Sequence, residues 1–214
     1  MKKILYSVAL AACCMGTMTS CSDFLDASNK SNVTDKQTFA TKDGFNSLVN
    51  DAYQHLQNVY AAPLFTSCFS AGTDMYADAR NKMNEPLNTY ETLTPENTDI
   101  KNLYTYLYAG IRAANSVSYY AQTAQIDDKT KGQLVGEARV LAAYEYYLLV
   151  NNFGGVPIMK DFLTTAGTGY PKSSAEDVYA YIISELEDVI SKNVLQASTA
   201  TKGGGRISQE TAKA

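Results

Sequence analysis

Apolar residues recur at helical spacing along most of the chain, and this periodicity limits the fold more than any other feature of the sequence. Between Thr41 and Tyr60 they fall at i, i+3, i+4, i+7 and i+11, which is one face of an α-helix: Phe45, Leu48, Val49, Ala52 and Leu56. Thr41 directly precedes this pattern, so its hydroxyl is expected to cap the helix. The pattern predicts a domain of amphipathic helices packed through such faces.

Three longer segments repeat the helical spacing. They span residues 99–122, residues 127–151 and a stretch that begins at Ser173-Ser174 and carries its apolar face to Val189. A shorter helix is expected after Pro63, and Ser208 is expected to cap another near the end of the chain. Gly154-Gly155 is a helix stop. The sequence therefore predicts an all-α fold of consecutive antiparallel helix pairs with tetratricopeptide-like packing, although no clean repeat is visible.

One charged residue interrupts the apolar stripe of the third long helix. Glu145 shares that stripe with Leu141 and Leu148. An ionised carboxylate is costly to bury unless it is paired. We therefore expect Glu145 either at the rim of the core or beside a cationic partner.

The stretch from Gly72 to Thr98 is the least regular part of the helical region. It mixes charged, amide and tyrosine side chains, and long irregular loops of this kind often carry function. Aromatic stacking combined with amide, carboxylate and guanidinium hydrogen bonds is the chemistry of sugar recognition, and five side chains offer it: Asp74, Arg80, Asn81, Asn84 and Tyr90. The alternative is structural, with Asp74 capping a turn and Arg80 paired with Asp78.

The N-terminus has the form of a lipoprotein export signal. Lys2 and Lys3 precede an apolar run, Ile4–Ala12, that is too short to span a bilayer. Small residues then lead to Cys21. We expect residues 1–20 to be a signal peptide, Cys21 to carry the lipid, residues 21–40 to be a tether and residues 41–214 to form the helical domain. Lipidation at Cys13 and a plain secretory signal remain open alternatives.

Several function classes are disfavoured by composition. The formal net charge of −4 argues against a nucleic-acid-binding protein. A single histidine, His55, leaves no zinc cluster and no plausible catalytic triad. Cys68 has no disulfide partner after Cys21 is acylated, and it is expected to be a small buried side chain. We expect no enzyme activity, no metal and no cofactor.

Four blocks of the sequence resemble the SusD/RagB family. The longest, Glu137–Pro157, resembles its hallmark helix followed by a Gly-x-Val-Pro turn. The others are Cys21–Asp26, which resembles the mature start with its acidic surface-export tag, Tyr104–Asn115, and Ser173–Leu186. Gly205–Ala214 is similar to the opening of the next helix.

The resemblance implies a function. Members of the family are non-catalytic lipoproteins on the outer face of the outer membrane, where they bind a glycan or another nutrient and deliver it to a TonB-dependent, SusC-like transporter. It also implies that Asp74 and Arg80 border the ligand site. Because members are usually longer, the chain is expected to be an N-terminal portion, truncated at its C-terminus. The alternatives are a helical scaffold that docks on the transporter and a non-functional remnant.

Overall fold

A computed structural model describes residues 35–61, 64–76, 85–165, 167–201 and 205–214. Throughout these ranges the regular structure is helical, and β-type pairing is limited to one isolated bridge between Thr73 and Tyr76. The helices are α1 (Asp35–Ala40), α2 (Lys42–Tyr60), α3 (Leu64–Phe69), α4 (Glu85–Thr89), α5 (Thr98–Tyr120), α6 (Asp128–Phe153), α7 (Ala175–Lys192), α8 (Ser198–Thr201) and α9 (Gln209–Lys213). The predicted all-α architecture is confirmed. The predictions for Cys13 and Cys21 lie outside the described residues.

The predicted helix starts agree with the cap geometry. The Thr41 hydroxyl accepts a hydrogen bond from the Gly44 amide at 3.2 Å. Asp127 caps α6 by accepting from the Thr130 amide at 2.8 Å. Ser174 and Ser208 cap α7 and α9 in the same way. Each side-chain oxygen satisfies an amide that the first helical turn leaves without a partner.

The core forms where the long helices cross. Helix α2 packs against α5 and α6, α5 packs against α6, and α6 packs against α7. The buried side chains of α2 are the predicted stripe of apolar residues, with Val59 added and Leu56 only partly buried. None of the helices among the described residues is both long and apolar enough to cross a bilayer.

The helical structure begins earlier than the sequence indicated. Residues 35–40, part of the predicted tether, form α1. The ring of Phe39 lies 4.8 Å from that of Tyr120, and the Ala40 carbonyl accepts a hydrogen bond from the Gln125 amide at 2.8 Å. These contacts hold α1 against the end of α5. The sequence of α1 is mostly polar, and its main contact is made by one aromatic ring, that of Phe39. It therefore shows no apolar stripe from which a helix could be predicted.

A buried ion pair attaches residues 205–207 to the helices. Glu137 on α6 is fully buried, and its Oε2 lies 2.7 Å from Nε of Arg206. The Tyr53 hydroxyl donates to the same carboxylate oxygen at 2.9 Å and accepts from the Ile207 amide at 2.8 Å. Gln133 donates to the other oxygen at 3.0 Å. The buried carboxylate is therefore fully hydrogen-bonded.

Glu145 is neither at the rim of the core nor paired, and both expectations for it were wrong. Its side chain is fully buried, and neither carboxylate oxygen has a hydrogen-bond partner. Burial raises the pKa of Glu145 well above its usual value. The neutral acid is tolerated because Gly110 on α5 leaves space for it. A Cβ at Gly110 would overlap the carboxyl group.

Candidate functional site

The irregular stretch from Gly72 to Thr98 is described in two parts, residues 72–76 and 85–98. Arg80, Asn81 and Asn84 fall between them, outside the described residues, and so does Asp78. Their proposed roles stay predictions. The described parts hold Asp74 and Tyr90, together with a short helix, α4, that the sequence did not indicate.

Tyr90 connects the two described parts of this stretch. Its hydroxyl donates to the Gly72 carbonyl at 3.3 Å, while its side chain stays 58 % exposed. Both residues have positive φ, 64° for Tyr90 and 75° for Gly72. A Cβ at Gly72 would overlap the Tyr90 hydroxyl and the Leu87 carbonyl. The hydroxyl is thus bonded within the loop, while the side chain remains exposed to solvent.

Asp74 lies at an exposed turn two residues after Gly72. The turn is held by the Thr73 hydroxyl, which donates to the Ser70 carbonyl at 2.7 Å, and by the bridge between Thr73 and Tyr76. Among the described residues, no group hydrogen-bonds to the Asp74 carboxylate. Asp74 therefore lies two residues from Gly72, with which the Tyr90 hydroxyl bonds, and both side chains are exposed to solvent.

Cys68 lies on α3, just before this loop. It is half-buried and packs against the core. Burial, with a smaller contribution from Asp99, raises the pKa of the Cys68 thiol to about 11. The thiolate is the reactive form, so this thiol is unreactive at neutral pH. Its position agrees with the predicted packing role.

A second concave region lies beside the C-terminal half of α5. It is a cleft of about 350 Å³ between that helix and residues 159–170, in the segment that follows α6. Its lining combines aromatic, aliphatic and polar side chains: Tyr108, Ile111, Arg112, Asn115, Met159, Asp161, Leu163, Thr164, Thr165 and Tyr170, with Gly167. None of these residues was predicted from the sequence to form a site.

Hydrogen bonds fix the wall of this cleft. The Asn115 amide donates to the Met159 carbonyl at 2.8 Å, and the Tyr108 hydroxyl donates to the Pro157 carbonyl at 2.7 Å. The Met159 amide in turn donates to the Tyr146 hydroxyl at 2.6 Å. Residues 157–159 are thereby fastened to both α5 and α6. Burial raises the pKa of Tyr108, so its hydroxyl keeps its proton and remains a donor.

Arg112 is held differently. Its guanidinium carbon lies 4.8 Å from the centre of the Phe162 ring. Within the described residues it makes no ion pair and no hydrogen bond, which leaves its N–H groups available to the cleft. The sequence contained one indication that Arg112 could have a special role, because this charged residue interrupts the apolar run from Ile111 to Ala114. Asp161 and Phe162, in contrast, come from a loop whose path the sequence does not reveal.

The comparison with protein families decides the relationship. The family model described as "Starch-binding associating with outer membrane" matches residues 23–204 of this chain. The chain belongs to the SusD-like family. The curated SusD-like protein P38 of Formosa agariphila is 27 % identical over 190 residues, which is 86 % of this chain and 36 % of that relative.

Solved SusD-like structures share the fold. The surface glycan-binding protein A of Bacteroides uniformis superposes with a TM-score of 0.65 at 23 % identity, covering 79 % of this chain and 39 % of its own. A laminarin-binding SusD-like protein gives 0.68 at 20 % identity, covering 81 % and 38 %. A SusD superfamily protein from Bacteroides thetaiotaomicron gives 0.67 at 18 % identity, covering 82 % and 42 %.

These neighbours confirm the predicted tetratricopeptide-like, SusD-like arrangement of the helices. The chain spans about a third of the length of the curated relative. Among the described residues, no group of three or more His, Cys, Asp or Glu side chains is placed to hold a metal ion.

Proposed function

We propose that this chain functions in a non-catalytic, glycan-binding lipoprotein of the outer membrane that delivers oligosaccharide to a TonB-dependent, SusC-like transporter. The observation that carries the proposal is the family match over residues 23–204, whose description is starch binding and outer-membrane association. Lipidation at Cys21 and display on the extracellular side are part of the proposal, and their support is the form of the N-terminal sequence.

The proposed ligand contacts lie in the loop between α3 and α5. Asp74, two residues after Gly72, and Tyr90, whose hydroxyl bonds to Gly72, are both exposed, and Arg80, Asn81 and Asn84 belong to the intervening stretch. A tyrosine ring stacks on the C–H face of a sugar, and the charged and amide groups bind its hydroxyls. The support from the described residues is that both Asp74 and the Tyr90 ring are free to meet a ligand.

The loop assignment is tested by binding to polysaccharides. The purified chain would be run through native gels containing laminarin or starch, where a bound protein is retarded. We expect Asp74→Ala, Arg80→Ala and Tyr90→Ala to weaken retention, and Asn81→Ala and Asn84→Ala to do so less. Tyr90→Phe should bind almost normally, because it keeps the ring and loses only the internal hydrogen bond to Gly72. Glu96→Ala, an exposed change in the same loop, is the control.

The results test two claims separately, namely that the loop is the binding site and that this chain binds glycans. Retention that is unchanged in Asp74→Ala, Arg80→Ala and Tyr90→Ala would remove the loop as the site. Retention absent from the unmodified chain on every polysaccharide would count against glycan binding by this chain. The release of new reducing ends during the incubation would contradict a non-catalytic role.

A second candidate function is a helical scaffold that docks on a protein such as the transporter. A surface of exposed aromatic rings favours it, formed by Tyr60 on α2, Phe65 on α3, and Tyr144 and Tyr147 on α6. The Tyr60 and Tyr144 hydroxyls hydrogen-bond, and the Tyr60 and Phe65 rings are 5.3 Å apart. Clustered aromatic rings are typical of protein interfaces. Capture of the transporter by the chain, lost in Tyr147→Ser and independent of glycan, would favour this role.

A further inference from the structure

The cleft beside α5 is lined by polar and apolar side chains that are not part of the loop between α3 and α5. We propose that it is a second saccharide subsite, which takes a neutral mono- or disaccharide portion of a glycan chain through Arg112 and Asp161. The inference rests on the proposed glycan-binding function and adds a separate site to it.

The polar groups of the cleft match sugar hydroxyls. A hydroxyl both donates and accepts hydrogen bonds, so a sugar is held best by a mixed set of donors and acceptors. Arg112 supplies N–H donors, and Asp161 and the Asn115 side-chain oxygen supply acceptors. One N–H of the Asn115 side-chain amide is used by the Met159 carbonyl, which leaves the amide oxygen and the other N–H for a ligand.

The apolar groups match the C–H faces of a sugar ring. Ile111, Met159 and Leu163 line the same cleft, and Tyr170, which is 41 % exposed, contributes an aromatic ring. A ligand with hydroxyls along its edge and C–H groups on its faces meets both kinds of lining. The volume of about 350 Å³ is at the small end of the range for ligand sites. It suits a short portion of a glycan chain.

The charges favour a neutral ligand. Arg112 and Asp161 carry opposite charges in one cleft, so the cleft has no excess of either sign to attract a phosphate or a sulfate. An extended peptide is also disfavoured, because the described residues present no strand edge on which it could add its backbone. A neutral saccharide is the class that uses the donor, the acceptors and the apolar wall together.

The cleft is organised before any ligand arrives. The guanidinium of Arg112 is positioned by the Phe162 ring, and the wall at residues 157–159 is held by side-chain hydrogen bonds from both long helices. Groups that are fixed in advance lose less conformational entropy on binding.

The test compares the cleft and the loop on short sugars. The purified chain would be titrated with laminaritriose, maltotriose and xylotriose, with affinity measured by calorimetry and the Arg112 Nε–H and Asn115 Nδ2 signals followed by NMR. We expect at least one trisaccharide to shift both signals. Arg112→Ala and Asp161→Ala should each weaken its binding about tenfold or more, as expected for a hydrogen bond to a charged group.

Matched variants separate a lost contact from a lost fold. Lys101→Ala, an exposed change on the same helix α5, should bind like the unmodified chain, and Arg112→Lys should fall between the two. Circular dichroism of each variant would show that the helices are intact. Binding that is unaffected by Arg112→Ala and Asp161→Ala, or signals of Arg112 and Asn115 that do not move, would overturn the subsite.

The remaining outcomes distinguish this inference from the proposed function. If trisaccharide binding is lost only in Asp74→Ala and Tyr90→Ala, the loop is the glycan site and the proposed subsite in the cleft is refuted. Absence of binding for every trisaccharide and every polysaccharide would refute both. Binding of a tripeptide such as Ala-Tyr-Ala to the cleft in preference to the sugars would replace the saccharide class with a peptide.

Discussion

Two buried glutamates on α6 show how position decides the state of the same side chain. Glu137 is surrounded by Tyr53, Gln133 and Arg206, so it is paired and fully hydrogen-bonded. Glu145, two helical turns later, faces Gly110 and has no partner. A charge with no partner in an apolar interior costs several kcal/mol or more, and protonation removes that cost. Glu145 therefore makes the domain sensitive to pH.

The expected effect of pH on stability follows from the raised pKa of Glu145. The group has the usual pKa near 4.5 in the unfolded chain and a higher pKa in the fold. Below pH 4.5 it is protonated in both states. Above that pH the unfolded state loses the proton while the fold retains it, so the free energy of unfolding falls by up to about 1.4 kcal/mol per pH unit until the folded pKa is reached.

Glu145→Gln should remove this contribution, because glutamine cannot ionise. In urea unfolding between pH 5 and pH 8, we expect the stability of Glu145→Gln relative to the parent chain to increase with pH. Glu187→Gln, the same change at an exposed position of α7, provides the reference. A difference between Glu145→Gln and the parent that is constant across this range would contradict the assignment of a neutral Glu145.

At the scale of elements, the attachment of residues 205–207 depends on one ion pair. The Arg206 guanidinium contacts the Glu137 carboxylate, lies 5.2 Å from the centre of the Tyr53 ring and donates to Asn50 at 3.0 Å. The segment that precedes α9 is thus tied to two helices, α2 and α6. Removal of the arginine would leave Glu137 buried without its cation.

We expect Arg206→Ala to destabilise the domain by about 3–5 kcal/mol, the usual cost of breaking a buried pair. The change would be measured by urea unfolding. Hydrogen exchange at the Ile207 amide should accelerate as well, because that amide donates to the Tyr53 hydroxyl in the same network. Lys213→Ala, at an exposed site on α9, should have little effect. Equal unfolding midpoints for Arg206→Ala and Lys213→Ala would show that the ion pair contributes nothing.

Most of the elements were predictable because their signals are local. The stripes on α2 and α5 and the caps at Thr41, Asp127 and Ser174 depend on residues a few positions apart. α1, α4 and α8 were not predicted. The contact of Phe39 with Tyr120, which holds α1, joins residues that are far apart in the sequence. Glu145 was misread for the same reason, since the space it occupies is supplied by a glycine on another helix.

The candidate sites were less predictable than the helices. Asp74 and Tyr90 were chosen as candidates from the composition of their loop, and their ligand role stays a prediction. The link between Tyr90 and Gly72 could not be foreseen, because it requires an unusual backbone conformation at both residues. The cleft brings Arg112 on α5 to a loop about 50 residues later. Nothing in the local sequence of either segment indicates that they meet.

At the scale of the whole molecule, residues shared between clusters make the core continuous. The three clusters of buried residues are bridged by partly buried side chains that belong to two clusters each, namely Leu56, Leu186 and Ile207. Disturbance of one cluster is therefore transmitted to its neighbours. The helices and the tyrosine environments should be lost together.

We expect a single cooperative thermal transition for the purified chain. The helical signal in the far-ultraviolet and the tyrosine signal in the near-ultraviolet should have the same midpoint, as two-state unfolding requires. The chain contains 16 tyrosines and no tryptophan, so the near-ultraviolet signal comes mainly from tyrosine, including the buried Tyr120 and Tyr146. Separate midpoints, or a gradual loss of helix, would show that the clusters unfold independently.

The long-range contacts of α2 also have a consequence for the order of folding. Tyr53 bonds to Glu137, 84 residues later, and Asn50 bonds to Arg206, 156 residues later. Because synthesis proceeds from the N-terminus, α2 is made long before the partners of these two polar side chains. Closing such large loops slows folding. We therefore expect the contact of α2 with residues 205–207 to form after its packing against α5 and α6.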